Sequence, residues 1–259
     1  MTEPTGEQTR DRQQQIAADL RALILSGDLA PGAQLPATAA LIKQYGVTNQ
    51  TVQRALRILK DEGFVEGQTG RGVFATGQRP YVIRGDHYPR PAADGQPYPW
   101  INDPSRDGRA GSSQLIAVGE RPAPLQVAAA FAIGKGDPVV MRHQLLLLDG
   151  EPVELVWSYY PVDIARGTRL AEDGRIRGGA ATVLTELGLP PRNAVDQVGA
   201  RLATVEEFAA LKLPASMPVL RQFRVVYSDS GRPIEATVMV KAGHRYEIQY
   251  TLPAEGGNP

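Results

Sequence analysis

The sequence of 259 residues has no cysteine, which excludes a disulfide framework and any metal site built on thiolates. Its three histidines, His87, His143 and His244, are scattered without the close spacing of a histidine metal site. It also lacks an apolar run near the roughly 18 residues that a membrane helix needs. Its N-terminus is polar and has no apolar segment of the signal-peptide type. These absences predict a cytoplasmic protein that needs no cofactor.

An excess of charge of one sign is missing as well, because 28 lysines and arginines balance 28 aspartates and glutamates. Many proteins that bind nucleic acid are basic overall, so this balance by itself does not favour such a partner. Affinity for DNA depends on local charge, however. Cations are concentrated in one short part of the chain, at Lys43, Arg54, Arg57, Lys60 and Arg71.

Residues 34–75 carry the pattern of two short helices joined by a tight turn. The first predicted helix spans residues 37–45, and Gly46 follows in the position of a left-handed C-cap. Thr48 is a suitable N-cap for the second helix, since its hydroxyl can accept a bond from a free amide. The polar face of that second helix consists of amide and guanidinium groups, which suit the reading of a DNA major groove: Gln50, Gln53, Arg54 and Arg57.

A hairpin, or wing, is predicted after the second helix. Residues 64–66 and 73–75 are short strand-like segments on either side of a glycine-rich tip. Arg71 at this tip is placed to reach a minor groove or a phosphate. The glycines do not fit a dinucleotide-binding loop, because they precede a strand rather than a helix. The alternative is a small helical domain whose polar face is merely solvated; the order of helix, turn, helix and wing favours DNA binding.

The remaining pattern divides the chain into domains. Residues 13–26 predict an amphipathic helix that packs behind the second helix, and residues 1–9 before it are expected to be disordered. Residues 79–110 alternate proline with glycine and charged residues and keep no helical or strand period, as in a linker that is partly ordered where Tyr81-Val82-Ile83 or Tyr98-Pro99-Trp100 can dock. We therefore predict three parts: a DNA-binding domain at 1–78, a linker at 79–110 and a second domain at 111–259.

The second domain has the pattern of an α+β fold with a mainly antiparallel sheet, because hairpins dominate. Asp149-Gly150 predicts a tight hairpin turn, and Thr204 with Glu207 predicts a capping box. Helices are expected at residues 124–131, 181–187 and 204–211. Strands are expected at residues 115–118, 137–148, 153–160, 195–203, 219–228, 234–242 and 244–252.

A polar set lies on one face of the predicted strand 153–160. Glu154, Ser158 and Tyr160 share that face, because strand side chains alternate. Arg142 on the neighbouring strand has the fork that binds a carboxylate or phosphate through two N–H groups. Convergent groups of this kind suit a ligand cleft, and the alternative is an exposed sheet face with an Arg–Glu pair. A triad of Ser158 and His143 with an aspartate is disfavoured, because no Gly-x-Ser-x-Gly turn presents the serine.

The first part of the chain resembles the winged-helix domain of GntR-family bacterial transcription regulators. The resemblance is carried by ILSGDLAPGAQLP and YGVTNQTVQRALRILKDEGFVEGQTGRGVFA. It implies DNA contacts at positions Thr48, Asn49, Thr51, Gln53, Thr69 and Gly70. The chain departs from the family pattern where Asn49 and Gln53 replace arginines, and where Ala37-Thr38-Ala39 replaces Ser-Glu-Arg. The missing guanidinium groups imply an operator unlike the common family site, read more through adenine.

The second part resembles the effector-binding UTRA domain of the HutC subfamily, whose fold is shared with chorismate lyase. The resemblance is carried by ERPAPLQVAAAFAI, DPVVMRHQLLLLDGEPVELVWSYYP and GRPIEATVMVKAGHRYEI. It implies that small ligands are held by Arg142, Glu154, Ser158, Tyr160, Glu235 and Tyr246. His244 stands where the family has aspartate, which affects the local geometry of the last strand.

Together these resemblances imply a sequence-specific transcription regulator that binds double-stranded operator DNA as a homodimer. The simplest regulator of this kind is a repressor that binds a palindromic operator and is released from it by a small effector. The effector is expected to be anionic if Arg142 binds it. One alternative is a lyase-like enzyme with a DNA-binding appendage, and another is a DNA-binding protein without a ligand. No acid, base or nucleophile pair stands out, so we predict that the chain is not an enzyme.

Overall fold

A computed structural model describes residues 6–76, 80–84, 108–214 and 217–250. The chain forms two compact units that meet in sequence between Pro80 and Tyr81. Most of the predicted linker at 79–110 lies outside the described residues. Its short stretch Tyr81–Arg84 is a strand of the second unit, however, and Gly111 begins another. This part of the chain is therefore not linker throughout.

Three helices form the body of the first unit: α1 Gly6–Ser26, α2 Thr38–Tyr45 and α3 Asn49–Asp61. As predicted, α1 packs against α3, and it buries Ile16 and Leu20 there. The expectation of disorder through residue 9 was wrong, because α1 begins at Gly6. The apolar period starts only at Ile16 and misses the preceding turns, whose Glu, Gln and Arg residues have high helix propensity.

The turn between α2 and α3 has the predicted caps. Gly46 takes a left-handed conformation with φ 62°, and its N–H donates to the carbonyl of Ile42. The hydroxyl of Thr48 accepts a hydrogen bond from the backbone N–H of Thr51 at 3.3 Å. These two local bonds end one helix and begin the next within three residues, which fixes the direction of α3 relative to α2.

The wing consists of β1 Val65–Gln68 and β2 Gly72–Ala75, which pair antiparallel as predicted. Arg21 of α1 donates to both carboxylate oxygens of Glu62, just before the wing, at distances of 2.6–2.8 Å. Burial raises the pKa of Glu62, and Arg21 opposes that rise. Because the Glu62 side chain is only 2% exposed, this bidentate pair ties α1 firmly to the end of α3.

Six strands of the second unit form one antiparallel sheet within the described residues: β4 Gly111–Pro122, β5 Pro138–Leu148, β6 Glu151–Pro161, β7 Asn193–Leu202, β8 Pro218–Tyr227 and β9 Pro233–Ala242. Their order across the sheet is β4-β5-β6-β9-β8-β7. Both residues of the Asp149-Gly150 turn have positive φ, 52° and 81°, as a two-residue hairpin turn of this kind requires. The predicted α+β class with a mainly antiparallel sheet is confirmed.

One face of this sheet is covered by α4 Leu125–Phe131 and α7 Val205–Ala210. Beneath α4 lies a core around Met141, Tyr159 and Phe223. The segment that includes α7 and the residues just after it covers a second core, which contains Leu155, Val219, Val240, Leu211 and Leu213. The sheet contributes alternate residues to both cores, so its opposite face is left for other side chains.

The opposite face has two separate covers. At one end, α5 Val162–Ala165 and α6 Ala180–Glu186 pack on Tyr160, Val226 and Ile234. At the other end, β3 Tyr81–Arg84 pairs in parallel with β10 Tyr246–Gln249, and Tyr81 and Tyr246 pack on Leu146, Leu148 and Val153. The last predicted strand, 244–252, is thus shorter than expected and lies outside the main sheet. Its partner is far away in sequence, so periodicity alone could not find it.

Candidate DNA-reading surface and effector site

Helix α3 and the wing together line a groove of about 510 Å³ in the first unit. The helix contributes polar side chains, and the strands of the wing contribute the apolar floor at Val65 and Val73. Thr48, Asn49 and Gln50 are exposed at the start of α3. The exposed side chains along the groove are the predicted reading residues together with one lysine: Gln50, Gln53, Arg54, Arg57 and Lys60.

The tip of the wing is exposed at Thr69, Gly70 and Arg71. Gly70 has φ 72°, a left-handed conformation that a side chain would disfavour. The side-chain amide of Gln34 donates to the carbonyl of Arg71 at 2.7 Å and so fixes the tip from outside the wing. The guanidinium of Arg71 lies 5.9 Å from the centre of the Phe74 ring and remains open to a phosphate or a groove.

Thr51 differs from the other residues that the family resemblance implied as DNA contacts. Thr51 is only 5% exposed, and its hydroxyl oxygen lies 3.0 Å from that of Thr48. Thr51 therefore supports the cap of α3 rather than the exposed face. Conversely, sequence reasoning missed Thr38, whose hydroxyl accepts a hydrogen bond from the side-chain amide of Gln53 at 3.4 Å. Only the packing of α2 beside α3 brings these two residues together.

In the second unit, a polar band crosses the sheet between the two apolar covers. The polar band consists of side chains that strand alternation places on this face of the sheet: Arg142, Glu154, Ser158, Tyr160, Asp196, Gln222, Arg224, Glu235, Thr237 and Lys241. Charged and polar groups at the centre of a sheet face are costly to bury unless they find partners. Three groups of partners satisfy the band: Arg142 with a loop, Ser158 with Thr237, Glu235 and Tyr160, and two ion pairs towards the far strands.

Arg142 is 3% exposed, and carbonyl oxygens surround its guanidinium group. Its Nη1 donates to the carbonyls of Arg169, Leu170 and Glu172 at 3.4, 3.2 and 2.8 Å, and its Nη2 donates to that of Gly174. All of these acceptors are neutral backbone atoms of one loop. Burial lowers the pKa of Arg142, and the nearby Tyr160 and Asp173 oppose that change.

Ser158 lies opposite Arg142 on the next strand and begins a short chain of hydrogen bonds. Its hydroxyl is 3.4 Å from that of Thr237, which donates to Glu235 at 2.9 Å. The hydroxyl of Tyr160 donates to the same Glu235 oxygen at 3.3 Å. The structure thus brings together Arg142, Ser158, Tyr160 and Glu235, which are four of the six residues predicted to hold an effector.

The other two predicted residues, Glu154 and Tyr246, lie elsewhere on the same face. Glu154 is four residues from Ser158, or about 13 Å along the strand. Its carboxylate pairs with Lys241 at 2.5 Å, and Lys241 lies 5.6 Å from the centre of the Tyr246 ring. Lys241 was not predicted. Its signal in the sequence is the alternation of Glu235, Thr237 and Lys241, which places all three side chains on one face of a strand.

A second ion pair extends the band to the edge strand β7. Asp196 accepts two hydrogen bonds from Arg224, at 2.7 and 2.6 Å, and a third from Gln222 at 2.8 Å. Both charged side chains are mostly buried, with exposures of 11% for Arg224 and 13% for Asp196. Sequence reasoning missed this network, because it depends on the register between β7 and β8.

Neither His143 nor His244 is a catalytic or metal-binding group of the polar band, and His87 lies outside the described residues. His143 lies opposite Trp157, and the two rings stack with their centres 4.3 Å apart on the face of the sheet away from Ser158. A triad of Ser158 and His143 is therefore impossible. His244 accepts a hydrogen bond from Arg245 at 3.3 Å. Within the described residues, no group of His, Asp and Glu side chains is placed to hold a metal ion, and no helix is long and apolar enough to cross a membrane.

Comparison with known proteins matches both units. The family described as bacterial regulatory proteins of the gntR family matches residues 12–75, and the UTRA domain matches residues 106–247. An uncharacterised HTH-type transcriptional regulator of Streptomyces coelicolor is 27% identical, covering 95% of this chain and 93% of its own. The HTH-type transcriptional repressor NagR of Bacillus subtilis is 25% identical, covering 92% and 93%.

Solved structures agree with this match. A GntR-family transcriptional regulator superposes with a TM-score of 0.60 and 26% identity, covering 94% of this chain and 98% of its own. PhnF from Mycobacterium smegmatis shares the fold, with a TM-score of 0.57 and 22% identity over 93% of this chain and 100% of its own.

Fold, site and relatives together define a transcription regulator that combines a DNA-binding domain with an effector domain, and not an enzyme. The chain belongs to the GntR family of bacterial regulatory proteins, and its UTRA domain places it in the HutC subfamily. The resemblance found in the sequence is thereby confirmed at the level of family.

Proposed function

We propose that this chain is a cytoplasmic, homodimeric repressor that leaves its operator when a small anionic effector binds in the UTRA domain. The observation that carries the DNA-binding half is the exposed row of amides and guanidinium groups on α3 beside the wing. The buried polar band around Arg142 supports the effector half. The operator is a palindrome whose half-sites are about one helical turn, or about 34 Å, apart.

Direct reading is assigned to the side chains that point outward from α3. Asn49, Gln50 and Gln53 suit adenine, because a carboxamide can donate to N7 and accept from N6 at once. Arg54 reads guanine or holds a phosphate, and Arg57 holds a phosphate. The wing tip adds backbone and guanidinium contacts from Thr69, Gly70 and Arg71. Thr48 is exposed at the start of α3, whereas Thr51 is buried and contributes by holding the hydroxyl of Thr48.

The effector is assigned to the group formed by Arg142, Ser158, Tyr160 and Glu235. Arg142 supplies a cation whose observed hydrogen-bond acceptors are all neutral, so an anionic group would gain most there. Glu235 and Ser158 suit hydroxyl or amine groups of the same ligand. Glu154 and Tyr246 lie further along the face and contact only a longer ligand. Effector binding favours a domain arrangement in which the two reading heads no longer fit the operator, with part of residues 79–110 as the hinge.

The experiment is a footprint and gel-shift series with duplexes from the chain's own promoter region, followed by a thermal-shift screen of metabolites. The footprint is expected to show specific protection of a palindrome. The gel shift is expected to be reversed by an anionic metabolite that stabilises the protein in the thermal-shift screen. Replacing Arg57 with Gln is expected to reduce the slope of log affinity against log salt by about 1. Equal affinity for all duplexes at low salt would refute sequence-specific binding, and a bound metabolite that leaves operator affinity unchanged would refute effector release.

A further inference from the structure

We propose that the loop of residues 169–174 occupies the anion site of the UTRA domain in the absence of effector, and that the effector displaces its carbonyl oxygens from Arg142. This inference rests on the proposed function, because it concerns the same site. It adds what the resemblance does not contain: a segment of the chain itself holds the guanidinium until an anion replaces it.

Burial, and not the length of the hydrogen bonds to Arg142, identifies the part of the loop that leaves. The carbonyls of Arg169 and Leu170 lie at 3.4 and 3.2 Å, whereas that of Glu172 lies at 2.8 Å and that of Gly174 lies closer still. Leu170 is fully buried in the core under α5 and α6, which anchors the first part of the loop. Glu172, Asp173 and Gly174 are exposed and have no such anchor.

Charge decides the competition between the loop and an anion. Arg142 is almost completely buried, and its observed acceptors carry no formal charge. The bonds to the carbonyls already have a charged donor, but an oxyanion adds a Coulombic attraction that a neutral carbonyl lacks, and it can take two parallel N–H groups, so it would outcompete the carbonyls of Glu172 and Gly174. Release of these carbonyls costs little free energy, because they are at the surface and can form hydrogen bonds with water instead. Asp173, the residue between them in the sequence, carries a carboxylate whose charge acts on Arg142, and an incoming anion repels it.

The chain beyond the loop is held in place and limits the movement to the loop itself. Gly178 and Gly179, directly before α6, have φ values of 78° and 81°, a region that other residues avoid. A side chain at Gly178 would meet the hydroxyl of Thr182 at 2.6 Å, so this tight approach depends on glycine. The movable residues therefore lie between Leu170 and Ile176, because Ile176 packs against the same core as Leu170.

Hydrogen exchange of the full chain, followed by mass spectrometry, tests the proposal with inorganic phosphate as the probe. Sodium chloride at equal ionic strength is the control. An ordinary ligand protects the amides around it, but displacement predicts the opposite. Phosphate is expected to make the peptide that contains residues 171–175 exchange faster, through an increase of about tenfold at the amide of Ala171, which donates to the carbonyl of Thr168 at 3.0 Å, while the rest of the sheet is unchanged or protected.

Two variants separate the Arg142 contacts from general charge effects. Arg142→Met keeps much of the side-chain stem and removes the donors, so residues 171–175 are expected to exchange fast with or without phosphate. Arg166→Met is the matched control, because Arg166 is exposed and pairs with Glu120 at 2.8 Å instead. It is expected to behave like the unmodified chain.

The unmodified chain decides the question even if Arg142→Met does not fold. Protection of residues 171–175 by phosphate, unchanged exchange with phosphate bound, or no phosphate binding at all would each overturn the proposal. Operator gel shifts on the same samples keep the two claims apart. Loop release without any operator binding would refute the proposed function alone, and operator binding without loop release would refute this inference alone.

Discussion

The ammonium group of Lys241 lies 2.5 Å from a carboxylate oxygen of Glu154, and the two side chains are 1% and 4% exposed. They are directly opposite each other on β9 and β6. Burial lowers the pKa of Lys241, and the carboxylate of Glu154 opposes that change. Two charges are tolerated at this depth because each compensates the other. The effect of replacing one residue on stability therefore depends on whether its partner is still present.

Removing one partner of this pair is expected to cost more than removing both. Lys241→Met leaves the Glu154 carboxylate buried alone and should lower the free energy of unfolding by about 3 kcal/mol. The double variant Lys241→Met with Glu154→Leu should recover most of that loss. Urea unfolding followed by circular dichroism measures both. Arg232→Met, which breaks an exposed pair with Asp163, should cost at most about 1 kcal/mol. Additive losses in the double variant would contradict this account of the pair.

Thr38 is expected to sharpen the reading of one base pair through Gln53. The hydroxyl of Thr38 holds one N–H of the Gln53 amide, which leaves the other N–H and the oxygen in a defined orientation. Thr38→Val removes the acceptor with little change of shape. It should reduce discrimination for adenine at that position by about 1 kcal/mol, or roughly fivefold. Competition gel shifts with single-base operator variants measure this.

Thr38→Ser provides the control, because it restores the hydroxyl and should restore discrimination. An equal loss of affinity for every operator variant in Thr38→Val would point to general helix positioning. In that case the orientation of Gln53 would not be the cause.

His143 is expected to make the UTRA domain less stable in mild acid. It is buried against Trp157, and its Nε2 has no hydrogen-bond partner within the described residues. Burial lowers its pKa, and Glu206 opposes that change. The unfolded chain therefore takes up a proton first as pH falls below about 6.5, and stability decreases over that range.

His143→Phe keeps the ring and removes the titration. Its melting temperature should fall less than that of the unmodified chain between about pH 7 and about pH 5. Thermal unfolding at several pH values is the measurement. Parallel curves for the two proteins would show that other groups cause the acid sensitivity.

The capping box of α7 offers a test of local stability. The hydroxyl of Thr204 accepts from the N–H of Glu207 at 3.2 Å, and a Glu207 carboxylate oxygen accepts from the N–H of Thr204 at 2.8 Å. Thr204→Ala should lower the free energy of unfolding by about 1 kcal/mol, whereas Thr204→Ser should be nearly neutral. Chemical denaturation measures both. Equal effects of Ala and Ser would mean that the hydroxyl does not contribute.

Local signals explain what the sequence predicted well. Caps such as Gly46 and Thr48 act within a few residues, and the hairpin turn at Asp149-Gly150 needs only its own two residues. Alternation along one strand was sufficient to group Ser158 and Tyr160. The α3 face and the wing followed in the same way from helical and strand periods.

Long-range pairing explains what the sequence could not predict. Lys241 meets Glu154, and Asp196 meets Arg224, only because distant strands adopt one register. The bonds from Arg142 to its covering loop depend on backbone atoms, which no residue type announces. Thr51 was expected to face outward because a motif gives a position and not the direction of a side chain.

The parallel ladder between β3 and β10 ties together two points that the polypeptide separates widely. Tyr81, directly after the boundary of the DNA-binding unit, lies beside Tyr246, and their rings meet edge to face at 5.7 Å. The Tyr246 ring in turn rests near the ammonium of Lys241. Through this tyrosine pair, Lys241 in the polar band is connected by packing to Tyr81, the first residue of the second unit.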